Sequence, residues 1–95
     1  MSQQVLSFKL LSGEEVMGRL VKESDATITL EKVRSVQMVQ QGPQQMGMAI
    51  VPYSATVIDG EIPFRRSAMS TDPMTPSDET EKMYMQQTTS IALAP

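Results

Sequence analysis

Gly13 and Gly18 sit inside an otherwise alternating stretch that runs from Leu11 to Leu30, and they set the tightest limits on the fold. From Glu15 to Glu23 the residues alternate as a strand does. Val16, Gly18 and Leu20 share one face, and Met17, Arg19, Val21 and Glu23 share the other. A glycine inside a strand weakens it and marks a sharp bend or a close backbone approach. Gly18 therefore reads as the bend of a strongly curved strand, and Gly13 as part of the turn that feeds it. Ser24-Asp25 then makes a tight polar turn, and Ile28 and Leu30 open the next apolar strand. Strands that bend this hard and reverse this quickly build a small, curved, all-β domain.

The flanking segments extend that reading. Residues 5–11 alternate, with Leu6, Phe8 and Leu10 on one side and Ser7 and Lys9 on the other, which predicts a half-buried strand. Residues 27 to about 40 are rich in β-branched side chains. Their parity slips at Glu31-Lys32, where Val33 is apolar out of turn, and recovers at Val36 and Met38. A slip of this kind in a long strand predicts a bulge or bend. Gly42-Pro43, within the glutamine-rich segment 40–45, is expected to end the strand in a solvated loop tip. Residues 46–54 read as a short fourth strand, with Pro52 at its end or edge because proline has no N–H to give. Asp59-Gly60 is a hairpin dipeptide between 56–58 and 61–64, and residues 62–69 make the last strand of the body. About five short strands with tight turns predict a small barrel or sandwich.

The character of the chain changes at Ser70. Residues 70–76 have linker composition. Thr75, with Pro76 at the first helical position and Asp78 three residues on, predicts a helix from Pro76 to about Gln87 carrying Met83, Tyr84 and Met85. The organisation expected is a body over residues 1–69 and an acidic, helix-bearing tail over 70–95. Charge divides the same way. Net charge is −3. The acidic and basic residues through Met69 cancel, whereas Asp72, Asp78, Glu79 and Glu81 face only Lys82. Ile91 and Leu93 close the chain either as a frayed end or as an apolar hook for a neighbouring subunit.

Composition removes whole classes of function. With no cysteine there is no disulfide, no thiol nucleophile and no Cys-zinc centre, and with no histidine the commonest general base and metal ligand are missing. Hydrolase, deaminase and dehydrogenase signatures are absent as well, so neither an enzyme, a cofactor nor a metal site is expected. The N-terminus lacks a signal-peptide pattern, and no apolar run approaches the ~20 residues that cross a bilayer. A cytoplasmic protein without membrane contact is expected. Aromatic side chains are few, and nine methionines supply adaptable filling for core and contact surfaces. A chain this small gains from burying further surface against copies of itself.

The order of these elements resembles the first motif of the Sm-like (LSm) family. Gly13 and Gly18 match its glycine pair, Leu20 its hydrophobic position, Asp25 its acidic turn, and Ile28 and Leu30 its apolar strand. Residues 64–69 resemble the second motif, with Phe64 for its isoleucine, Arg65 for its arginine, Arg66 in place of its glycine and Met69 for its last apolar position. Eukaryotic and archaeal members carry an Asp, a stacking side chain and an Asn in the turn. Here the turn is Ser24-Asp25-Ala26-Thr27, one residue shorter, with no ring to stack and Thr27 as the nearest polar substitute. The likeness runs from about Leu6 to Met69. The short chain, missing N-terminal helix and acidic tail are most similar to divergent Sm-like proteins of bacteriophages, cyanophages among them, which would place the protein in a host cytoplasm.

The resemblance implies a strongly bent five-stranded Sm-like (SH3-like) barrel that forms a homo-oligomeric ring by pairing strand 46–51 of one copy with strand 62–69 of the next. It implies single-stranded RNA as partner, held by Asp25, Thr27, Arg65, Arg66 and Ser67. Each of these residues also has a plainer reading. Arg65-Arg66 forms a ring of guanidiniums around a pore, or one of the pair is held by Glu61 or Asp59 at a subunit contact. Asp25 touches a base edge or ribose, or bonds its own backbone in the turn. The glutamines of 40–45 reach RNA from the mouth of the ring, or are solvated. A ring that binds only protein, as a scaffold or adaptor, is the alternative function.

Overall fold

Antiparallel pairing starts where the sequence alternates. In the computed structural model, which describes residues 4–88, β1 (Val5–Lys9) and β2 (Glu15–Glu23) form a hairpin in the register Leu6↔Gly18 and Phe8↔Val16. Gly13 makes the connecting turn at φ +95°, a conformation that glycine adopts without strain. At Gly18 the constraint is space. A Cβ there would lie 2.9 Å from the Leu30 Cβ and 3.1 Å from the Glu31 carbonyl oxygen, so even alanine would force β2 and β3 apart. The close approach read from the sequence is therefore between these two strands, and the β2–β3 register shifts on both sides of Arg19 and Leu20.

β3 (Thr27–Gly42) is the spine of the sheet. One of its edges pairs with β2 along 28–36. The other edge pairs with β5 (Glu61–Arg65) along 27–31 and with β4 (Gln45–Pro52) along 34–42. The changeover falls at Lys32, whose φ of +52° kinks the strand where the alternation slips. The parity does not recover, as the sequence suggested; it inverts for good. Ile28, Leu30 and Val33 share one apolar cluster with Leu6, Phe8, Val16 and Phe64, whereas Val36 packs against a second cluster on the opposite face. Phe8 and Phe64 meet edge to face at 5.3 Å in the first cluster.

The segment after β5 covers the free edge of β1. Ser7 and Met74 exchange backbone hydrogen bonds of 2.9 and 2.7 Å, Leu11 N–H donates to Ala68 O, and Lys9 N–H donates to Thr71 Oγ1. Ser7 is buried by this strap, so β1 is covered on both faces instead of one. The helix α1 (Asp78–Thr88) lies beyond it. It sets Tyr84, fully buried, among Val5, Met17 and Ile50 in the second cluster. The fold is thus mostly β, a five-stranded antiparallel sheet with one short C-terminal helix. No described helix is long and apolar enough to cross a membrane.

Several local expectations are corrected. β3 continues to Gly42 and only Pro43-Gln44 turns, because cross-strand bonds to β4 satisfy the glutamine backbone. Residues 56–58 form no strand, since the edge of β3 takes up β5 and leaves Asp59-Gly60 in a loop. β5 ends at Arg65, and residues 66–68 form a 3-10 turn closed by Met69 N–H on Arg66 O. The helix begins at Asp78 with Ser77 as its cap, not at Pro76 with Thr75. Ser77 Oγ accepts from Thr80 N–H, and Ser77 O accepts from Glu81 N–H. Ile91 and Leu93 lie outside the described residues.

Candidate functional site

The turn between β2 and β3 is organised by Ser24. Its Oγ accepts the backbone N–H groups of Ala26 and Thr27 at 3.3 and 3.2 Å and shares a hydrogen bond with Thr27 Oγ1 at 3.1 Å. Ser24 N–H donates to Thr27 O at 2.8 Å, closing the reversal. A serine hydroxyl in this position mimics a backbone acceptor and fixes the turn. The role expected of Asp25 within the turn therefore belongs to the residue before it. The exposed Asp25 makes no hydrogen bond or ion pair among the described residues.

β5 carries the second half of the site to this turn. Thr27 stands opposite Arg65 in the ladder, and Arg66 N–H donates the last bond, 2.9 Å, to Ala26 O. Those two facts place Pro63 at a position whose nitrogen faces away from β3, where the missing N–H removes no ladder bond. The 3-10 turn then swings Ser67 back beside the β2–β3 turn. Asp25, Ala26, Thr27, Arg65, Arg66 and Ser67 together line one solvent-open pocket of about 450 Å³. All five residues that the family resemblance assigned, from two distant segments, thus surround one space.

The two arginines differ in what they have left to offer. Arg66 donates through Nε to Ser24 O at 2.8 Å and through Nη2 to Glu23 Oε1 at 2.9 Å, so its charge is paired and its geometry fixed. Arg65 is exposed and has no partner among the described residues. Within one chain neither arginine pairs with Glu61 or Asp59, the partners suggested for a subunit contact. Asp59 instead pairs with Arg34 at 2.8 Å, and Arg34, itself buried, also donates to the carbonyls of Ile58 and Val33. A surface pair such as Arg66–Glu23 contributes at most about 1 kcal/mol to stability, so its role here is positional. No aromatic ring lines the pocket.

Sequence reasoning placed Ser24 in the turn but gave neither it nor Glu23 a part in the site, although a serine two and three residues ahead of the Ala26 and Thr27 amides is itself a turn signature. It also passed over a second feature. A groove of about 260 Å³ beside α1 is lined by Met17, Met38, Met48 and Met74 together with Val36 and Pro76. Its signal was the high methionine count. No group of metal-ligating side chains gathers among the described residues. No known protein family and no curated protein gives a match to this chain.

Proposed function

We propose that this chain is an Sm-like protein whose bent sheet closes as a small barrel, whose copies join edge to edge in a ring, and whose pocket at the β2–β3 turn holds single-stranded RNA. The observation that carries the reading is the convergence of Asp25, Thr27, Arg65, Arg66 and Ser67 on one open pocket with the Arg65 guanidinium unpartnered. Two further features support it. β5 and the strap 68–74 link the far edge of β3 to the free edge of β1, as closure of a barrel requires. β4 and β5 each pair on one side only among the described residues, and edge-to-edge pairing in a closed cycle satisfies both. Symmetry then repeats each Arg65 at one radius and turns a weak contact into a strong one.

Two measurements test this reading. Light scattering coupled to size exclusion is expected to give a discrete multiple of the chain mass, and a clean monomer at micromolar concentration sinks the ring. Filter binding of oligo(U) and oligo(A) across a salt series is expected to show steep salt dependence. Arg65→Ala should flatten it and weaken binding most, with Arg66→Ala, whose charge is already paired, losing less. Undetectable binding at low salt favours the second reading, a ring that binds protein alone. The methionine-lined groove supports that one, because flexible thioethers suit an adaptable protein-binding surface.

A further inference from the structure

Resting on the RNA-binding reading, we propose that the pocket selects guanine, with the Asp25 carboxylate accepting both donors of the base's Watson–Crick edge and Arg65 donating to its acceptors. The argument follows from which polar groups remain available once the turn has satisfied itself. The amides of Ala26 and Thr27 are committed to Ser24 Oγ. Thr27 Oγ1 shares a bond with the same oxygen, Ala26 O is taken by Arg66 N–H, and Ser24 O by Arg66 Nε. The polar side chains of the pocket that make no hydrogen bond or ion pair among the described residues are the Asp25 carboxylate, the Arg65 guanidinium and the Ser67 hydroxyl.

An ionised carboxylate only accepts hydrogen bonds, and a guanidinium only donates them. The best ligand for that pair presents two adjacent donors and, elsewhere on its rim, adjacent acceptors. Guanine does so, with N1–H beside its 2-amino group and O6 beside N7. Uracil has a single N–H flanked by two carbonyl oxygens, which would face the carboxylate oxygens and repel them. Adenine and cytosine each set one amino donor beside a ring acceptor, so only half of a carboxylate is satisfied. The pocket lies within the ordinary size range of small-ligand sites and admits one purine. With no ring to stack on, hydrogen bonding to the base edge, and not stacking, decides which base is held.

Fluorescence anisotropy of the full chain with labelled RNAs of equal length tests the proposal, in lithium buffer to suppress guanine self-association. The probes are repeats of uridine–guanosine, uridine–inosine and uridine–adenosine, and oligo(U). The guanosine repeat is expected to bind about tenfold more tightly than oligo(U), the ratio that one bidentate base contact gives. Inosine, which lacks the 2-amino group, should lose most of that gain. Asp25→Asn, which adds donors at the same site, should abolish the preference and improve oligo(U) binding while the oligomer mass stays unchanged. Equal affinity for guanosine and uridine probes, or a guanosine preference that survives Asp25→Asn, overturns guanine selection and leaves RNA binding standing. Failure of every RNA to bind overturns the underlying reading and this inference with it.

Discussion

Replacing Tyr84 with alanine is expected to lower the unfolding free energy by about 3–5 kcal/mol, a large part of the 5–15 kcal/mol that a small domain has. Tyr84 is the largest side chain with no exposure, and it stands alone in carrying α1 into the second apolar cluster of Val5, Met17 and Ile50. Its hydroxyl donates to Lys32 O at 2.7 Å, at the residue where β3 kinks, and Lys32 Nζ returns a bond to Thr88 O at 3.1 Å. Helix and kink therefore hold each other. Tyr84→Phe removes only the hydrogen bond and should cost about 1 kcal/mol. Urea unfolding followed by circular dichroism measures both variants, and a Tyr84→Ala midpoint equal to that of the unaltered chain would show the helix to be an ornament.

The same hydroxyl gives the effect a pH signature. Burial pushes the Tyr84 phenol up to about 12, partly opposed by the positive charges of Arg19 and Arg34. Because the folded-state value lies above the unfolded value near 10, the neutral phenol favours the fold, and its contribution is complete below pH 10. Between about pH 10 and 12 the unfolded chain ionises first, and roughly 2–3 kcal/mol drains away. Tyr84→Phe should lack that decline, which assigns it to the Tyr84 phenol.

How much of this was legible beforehand depended on how local the cause was. The span of β2, the special character of Gly18 and the break at Glu31-Lys32 were all written in alternation and glycine placement. The five residues of the pocket came from the family resemblance and not from the chain's own pattern, and the ladder pair Thr27↔Arg65 explains why two such distant segments can share a site. The failures were cases where a distant partner decided between locally reasonable options. Asp59-Gly60 has hairpin chemistry, but the open edge of β3 claims β5 and Arg34 claims Asp59. Residues 70–76 have linker composition, yet the backbone edge of β1 needs a partner and takes one from them. Ser24 and Asp25 are both good turn residues. Only the folded geometry shows that the serine oxygen reaches the two amides and leaves the carboxylate over.

Truncation after Ser70 is expected to unfold or badly destabilise the protein, although a tail of this charge and composition invites the idea of a detachable shield for the arginines. The shielding idea predicts tighter RNA binding by an intact ring, because Asp78, Glu79 and Glu81 would no longer compete with phosphate. Against it, none of these three acids pairs with Arg65 or Arg66, and Arg66 is already held by Glu23. They occupy the first turn of α1, where negative charge complements the helix dipole by less than about 1 kcal/mol. Removing residues 71–95 deletes both backbone bonds between Ser7 and Met74, strips the Thr71 Oγ1 cap from Lys9 N–H and takes Tyr84 out of the second cluster. The cost is the roughly 3–5 kcal/mol of the tyrosine plus about 1 kcal/mol for each hydrogen bond left unmade at a buried strand. Restoring residues 71–77 alone would re-cover β1 but leave Val5, Met17 and Ile50 bare, so that longer variant should fold with low stability. Urea unfolding and oligomer mass of the two truncations, read beside RNA affinity, decide the matter: a stable ring of unchanged mass that binds RNA more tightly would return the tail to a regulatory role.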